Sequence, residues 1–488
     1  MKKSSHATVI PIKVVSPPKG AVASSDDLIS LYQEQGKIYS RAVGGLFNRL
    51  RWVMVWVTQL VFYGSPWLQW NDRQAVLFDL ANSRFFIFGL VLHPQDLIYL
   101  AILLVLAALA LFFFTAVAGR LWCGYACPQT VYTEIFLWLE RVTEGDRLAR
   151  MRLDQEPWGA EKIARKSAIH ALWIILSLFT GFTFVGYFTP IHDLAGELIT
   201  LSFSPWEWFW VLFYGFATYG NAGYLREQIC KQMCPYARIQ SALTDMDSMV
   251  IAYDTARGET RGSRARSADP RVLGLGDCID CTLCVQVCPT GIDIRNGLQN
   301  ECIACAACID VCDEVMEKMN YPKGLIRYSS GKGMADKLTP KQMVKRVWRP
   351  RVWAYGLLFL AAMSLFVGGL STRKGFAVDV IKDRGTMARE TGNGAIENIY
   401  RLKVMNTTED TQTYTASVQG LPGLALVTNP VLSVPGAGIG SLTIRLTLSA
   451  QAAQDHRGKA NPIMFKVETQ AHGNTAAVEE KSTFVIPR

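Results

Sequence analysis

No cysteine occurs before Cys123 and none after Cys312, although the chain holds 12 in 488 residues. A secreted disulfide scaffold would spread its cysteines through the fold. Tight, regular clusters read instead as metal sites in a reducing compartment. Histidine is scarce, at six, and none follows a C-x2-C pair, which excludes covalent haem attachment. Charge is thin as well, at 19% of residues against roughly 25% in an average soluble domain. No basic helix with interleaved aromatics appears, so the net charge of +9 does not point to nucleic acid as a partner.

What replaces charge is apolar sequence in long blocks. Five are long enough to span a bilayer: Trp52–Trp70, Leu97–Ala118, Ala168–Pro190, Pro205–Tyr224 and Val352–Leu370. Leu97–Ala118 contains no charged residue, whereas Gly64, Ser65 and Pro66 interrupt the first block. Trp52, Trp70, Trp206 and Trp353 stand at block edges, as interfacial anchors do. Lys plus Arg number eight in residues 1–51, two in 71–96, eight in 119–167, none in 191–204 and 19 in 225–351. This alternation predicts a multi-pass membrane protein, with the first, third and fifth of these segments cytoplasmic and everything after Leu370 outside. The first 51 residues are polar, with Pro17-Pro18 and Ser24-Ser25, and read as a loosely ordered cytoplasmic leader rather than a signal peptide.

The cysteines then fall on the cytoplasmic side. Cys278, Cys281, Cys284 and Cys288 form C-x2-C-x2-C-x3-C, and Cys302, Cys305, Cys308 and Cys312 repeat it. In two-cluster ferredoxins three cysteines of one run hold a cubane and the fourth ligates the other, because C-x2-C spacing wraps a loop round three corners. The expected sets are Cys278, Cys281, Cys284 and Cys312 for one [4Fe–4S] cluster, and Cys302, Cys305, Cys308 and Cys288 for the other. Zinc would need only four ligands and no doubled pattern. Asp313 stands where proline would follow Cys312.

Four cysteines remain. Cys123-Gly-Tyr-Ala-Cys127-Pro128 follows the second block and Cys230-Lys-Gln-Met-Cys234-Pro235 the fourth, a parallel internal repeat. Proline suits the first turn of a helix, so Cys127 and Cys234 are expected at helix N-caps, where the dipole favours thiolate. Four activated thiols at the membrane edge would suit Cu(I), Zn(II) or an iron–sulfur group, and simple packing is the alternative. His93 and His192, near the outer face, are candidates for a metal or a quinol; His170 reads as structural.

Residues 371–398 read as a linker. Beyond it, alternating runs such as Ile399–Val404, Tyr414–Val418 and Ser441–Leu448 predict a β-sandwich over 399–488, with no catalytic constellation. The expected fold class is thus a multidomain membrane protein. Its parts are a leader (1–51), four transmembrane helices (52–225), a cytoplasmic segment (226–351) with a ferredoxin-like module at 270–320, a fifth helix (352–370), the linker and the sandwich.

These parts together resemble the FixG/CcoG/RdxA family. Pro289-Thr-Gly-Ile-Asp-Ile-Arg-Asn-Gly-Leu-Gln and Gly324-Leu-Ile-Arg-Tyr are especially similar. The resemblance implies an immunoglobulin-like tail and a cupric reductase role in assembling the cbb3-type cytochrome c oxidase, with copper-delivery proteins and oxidase subunits as partners. It places copper chemistry on Cys123, Cys127, Cys230 and Cys234. Rival expectations are an electron-transfer subunit that oxidises quinol, or a non-redox scaffold; a homo-oligomer is compatible with each. The chain purified anaerobically is expected to carry about eight irons and as many sulfides, with cubane EPR signals on reduction. Zinc in their place would reject the cluster reading.

Overall fold

The computed structural model describes residues 37–488 except 271, 384–387, 393, 455, 472, 473 and 488. Most of the expected leader, residues 1–36, lies outside the described residues. All five apolar blocks form helix. They are α1 (Leu46–Gly64), α2 (Leu97–Ala118), α5 (Ala160–Val185), α6 (Pro205–Thr218) and α9 (Pro350–Ser371). Between them lie α3 (Leu121–Tyr125), α4 (Pro128–Glu144), α7 (Pro235–Leu243) and α8 (Ala307–Met319). Three stretches, Pro94–Ala118, Ala160–Val185 and Pro350–Ser371, are long and apolar enough to cross a membrane. Helix α1 starts six residues before the expected Trp52 because Leu46, Phe47 and Leu50 extend its apolar pattern, and it ends at Gly64, ahead of Pro66. Helix α6 is regular for only 14 residues before it widens into a π-helical turn over Tyr219–Leu225.

Small residues let these helices approach closely. A Cβ on Gly181 of α5 would sit 2.2 Å from the Val211 carbonyl oxygen of α6. Phe113 of α2 stacks on Phe359 of α9 at 6.4 Å, and the Tyr99 hydroxyl donates to the Gly369 carbonyl at 3.1 Å. Tyr63 of α1 stacks on Phe179 of α5 at 4.9 Å. At the other end of α4, buried Glu140 pairs with both Arg150 and Arg226.

One end of α2 and α9 carries β structure. Residues 71–96, expected as a loop, contain a three-stranded meander of β1 (Val76–Asp79), β2 (Arg84–Ile87) and β3 (Leu90–Leu92). Leu77, Phe86 and Val91 of the meander pack with Ala437 of the C-terminal domain, and Arg73 pairs with Glu409 at 2.9 Å. That domain is a two-sheet sandwich, but it begins earlier than the alternation suggested. Phe376–Lys382, inside the expected linker, is a strand paired antiparallel with Ile396–Asn406. Phe376 and Val378 are buried in the domain core, which is what makes this stretch structure rather than spacer. One sheet orders Leu424–Leu426, Ile439–Leu448, Ile396–Asn406 and Phe376–Lys382; the other orders Val431–Val434, Gln412–Gln419, Ala460–Ala471 and Asn474–Val485.

The opposite end carries the ferredoxin-like module. Strands β4 (Val250–Tyr253) and β5 (Ile326–Ser329) pair antiparallel, and α8 packs on them through Ile309, Val315 and Met316. The module grips α1 by its N-terminus. Asp310, between Cys308 and Cys312, accepts hydrogen bonds from the amides of Phe47 (3.2 Å) and Asn48 (2.7 Å). The carboxylate thereby satisfies two orphan donors and meets the positive end of the helix dipole. Only glycine fits at position 45, where a Cβ would overlap the Asp310 carboxyl. Replacing Asp310 by alanine is expected to cost about 1–2 kcal/mol, as lost helix caps do. The readout is a lower Tm and faster proteolysis near residue 45, with Asp310→Asn intermediate; an unchanged Tm would remove the clamp.

Candidate metal centres

The two cysteine runs interleave. Cys278, Cys281, Cys284 and Cys312 line one cavity, walled by Tyr253, Val315 and Ile326. Cys288, Cys302, Cys305 and Cys308 line a second, walled by Ile251, Ile292 and Ile303. The fourth cysteine of each run has thus gone to the other cavity, as the ferredoxin pattern predicts. Cys284 borders both, so the cavities are neighbours.

The loops are built alike. Asp280 and Thr282 in the first, and Ala304 and Ala306 in the second, take left-handed φ between 53° and 61°. Left-handed residues alternating with ordinary ones make concavities of backbone N–H groups that receive anions. Backbone amides of Ala304 and Ala307 serve the sulfurs of Cys302 and Cys305. Burial pushes the thiols of Cys284, Cys302 and Cys312 up to about 12, so without metal they are neutral, and a bound cation is what would hold them as thiolates. Among the described residues no three His, Cys, Asp or Glu side chains stand close enough to hold a single metal ion. Four thiols at each cavity match the four corners of a cubane, and the backbone amides of the loops suit its negative charge.

Cys127 and Cys234 cap α4 and α7, each followed by proline at the first helical position, as the sequence predicts. Cys123 lies in α3 and Cys230 in a second π-helical turn, Ile229–Met233. The four converge. Cys123 interacts electrostatically with Cys127 and Cys234, and Cys230 with all three others. Activation by the helix dipole does not extend to Cys123 and Cys230, which cap no helix. Burial dominates there and raises them to about 11 and about 12. The Cys123 thiol donates to Gln240 Oε1 at 3.3 Å.

The two regions touch through backbone. A Cβ on Gly124, beside Cys123, would lie 2.8 Å from the carbonyl oxygens of Ile303 and Ala304, in the Cys302–Cys305 loop. Cys123 and Cys230 pack on the wall formed by Ile303, Cys305 and Val311. Sequence reading missed Gly124, whose glycine inside a cysteine motif was the available signal, and it missed Arg51, Arg120 and Gln240. Among the described residues, His93, His170 and His192 join no centre. His93 is buried at the foot of α2, where burial lowers its pKa, and among the described residues its ring nitrogens have no hydrogen-bond partner. His192 instead meets the edge of Trp67 at 5.4 Å, and His170 bonds the Tyr219 hydroxyl at 3.0 Å, the structural role expected of it.

Known families match most of this architecture. Residues 100–143 match a "4Fe-4S binding domain", residues 225–331 a "4Fe-4S dicluster domain", and residues 366–487 the "IG-like fold at C-terminal of FixG". Protein RdxA of Cereibacter sphaeroides is 38% identical over 438 residues, 87% of this chain and 92% of its own. Nitrogen fixation protein FixG of Rhizobium meliloti is 37% identical over 81% of this chain and 82% of its own. Protein RdxB of C. sphaeroides is 39% identical over 81% and 85%. A crystal structure of a FixG-related protein from Vibrio parahaemolyticus aligns with 23% of this chain and 98% of its own, at 24% identity and a TM-score of 0.20.

In metal-free protein, Cys123 and Cys230 are expected to alkylate slowly at pH 7, where thiols this high are almost wholly protonated. Their rates should rise about tenfold per pH unit towards pH 10 as thiolate forms. Peptide mapping by mass spectrometry checks this; fast labelling at neutral pH would contradict the burial argument.

Proposed function

The chain belongs to the FixG/RdxA family of iron–sulfur electron-transfer proteins, and from that we propose that it passes single electrons to Cu(II) at the membrane edge, supplying Cu(I) for assembly of a cbb3-type cytochrome c oxidase. The observation that carries this reading is the backbone contact of Gly124 with Ile303 and Ala304, which sets the Cys123–Cys127 segment against the Cys302–Cys305 loop.

Cys278, Cys281, Cys284 and Cys312 would hold one [4Fe–4S] cluster, and Cys288, Cys302, Cys305 and Cys308 the other. Bound there, these groups supply one-electron oxidation and reduction. Cys281 is exposed and marks where a cytoplasmic one-electron carrier would dock. Cys284, shared by both cavities, keeps the step between them short. The soft thiolates of Cys123, Cys127, Cys230 and Cys234 favour Cu(I) over Cu(II), which draws the electron forward. In this reading the five helices all cross the inner membrane, the cysteine centres are cytoplasmic and the sandwich is periplasmic, free to meet copper-delivery proteins or oxidase subunits. Two observations support it: the alternation of Lys and Arg, and the attachment of module and sandwich to opposite ends of α2.

A second reading rests on the 4Fe-4S match at residues 100–143. That stretch holds only Cys123 and Cys127, half of a cubane's ligands; Cys230 and Cys234 would complete the set for a third cluster. Metal analysis separates the two, with about twelve irons for the second reading against about eight plus copper for the first.

For the test, dithionite-reduced protein is desalted, mixed with Cu(II), and assayed with a Cu(I)-specific chelator. Wild type should form Cu(I), while Cys123→Ala and Cys230→Ala should do so at least about tenfold more slowly with unchanged cubane signals. Equal rates in all three would reject the copper site.

A further inference from the structure

The two cysteine-lined cavities differ in the charge around them. At the first, Arg295 stands near Cys284, but Asp293 (2.7 Å) and Asp280 both pair with it. Asp313 adds a further negative charge beside Cys312. Two carboxylates thus offset the Arg295 charge on this site, Arg264 is spent on the backbone carbonyls of Cys278 (3.5 Å) and Gly276 (2.7 Å), and Cys281 is exposed.

The second cavity faces two arginines. Arg51, one turn into α1, is 7% exposed and stands against the Cys305 sulfur. Its carboxylate partner is Glu134 at 3.3 Å, and its Nε is buried without a hydrogen-bond partner among the described residues. Arg120 follows α2 directly. It donates to the backbone carbonyls of Asn300 and Ala237, the latter at 2.7 Å, and has no carboxylate partner among the described residues. Its charge acts on Cys302 and also on Cys123 and Cys230. Two guanidiniums therefore face this site, Arg51 buried and Arg120 part-buried; of the nearby carboxylates Glu134 pairs with Arg51 and Asp310 is taken up by the Phe47 and Asn48 amides.

A cubane held by four thiolates is anionic and becomes more so when reduced, so nearby positive charge favours the reduced form. We propose that Arg51 and Arg120 set the potential of the second centre: they stabilise an added electron at the Cys288–Cys302–Cys305–Cys308 site and draw it from the exposed first site towards the membrane edge. Both arginines sit at ends of membrane helices, so the charge is delivered only when the module is docked. Arg120 in addition keeps its charge between that site and the Cys123–Cys230 pair, which favours an electron on either side of it. The inference rests on the two-cluster reading but not on copper as the acceptor.

An EPR-monitored redox titration of the full-length protein in detergent tests it. Cys281→Ser, which touches the first centre alone, assigns each wave to its centre. In Arg51→Gln and Arg120→Gln the second wave should move to lower potential and the first should stay. Arg120→Lys, which keeps the charge, should stay close to wild type. Arg295→Gln should move the first wave and not the second. An unmoved second wave in both glutamine variants overturns the proposal, as does an equal shift of both waves. Should the glutamine variants lose iron, the lysine variants decide: retained iron at wild-type potential supports a charge effect, and lost iron shows that the arginines serve as scaffold. Absence of any cubane signal in wild type would instead defeat the cluster reading itself.

Discussion

The contact on which this molecule turns is a close approach of two backbones. Gly124 comes so near the carbonyls of Ile303 and Ala304 that no side chain fits between them. One strand of that contact leaves the apolar helix α2, and the other is the loop between two cysteines of the ferredoxin-like module. The route into it is narrow. Gly119, left-handed at φ 56°, ends α2 where a Cβ would strike the Met249 carbonyl, and Pro128 starts α4 after Cys127. Arg120 and Asp310 then bolt the same interface from either side. Electron transfer falls steeply with distance, so what the chain achieves here is mainly proximity.

Proximity has an electrostatic cost. Twelve sulfurs gather near one interface, several of them buried, and burial resists their ionisation. Metal relieves that resistance, because a ligand thiol is deprotonated as it binds and the binding energy becomes folding energy. Buried arginines work in the same direction without metal. The module and the apolar helices thus depend on each other: the helices present guanidiniums to the module, and the module caps α1 through Asp310.

The other end of the bundle follows ordinary soluble-protein rules. The sandwich has its own core around Tyr400, Tyr414, Phe465 and Phe484. It meets the helices through the small meander and through Asp96, which accepts the amide of His93 at 3.0 Å and pairs with Arg373. These contacts fix the ends of α2 and α9 against the sandwich and leave the cysteine centres at the far end of the same helices.

Much of this was readable in the chain itself. Cysteine spacing alone implied the crossed pairing of quartets, since a loop of C-x2-C geometry can reach only three corners of one cubane. Proline after Cys127 and Cys234 announced two helix caps, and Leu97–Ala118 showed its bounds because no charge interrupts it. Short-range signals failed where a residue's role comes from a distant neighbour. Phe376–Lys382 resembled a linker because a single edge strand shows its buried face only against a partner sheet. The meander looked like a loop because its three strands are only three or four residues each. Arg51, Arg120 and Gly124 carried no visible assignment, since charge near a sulfur and space beside a carbonyl exist only after residues some 180 to 250 positions apart have met. What the sequence determined by itself was which atoms can bind; the tertiary structure decided which charges those atoms would feel, because electrostatics acts through space and not along the chain.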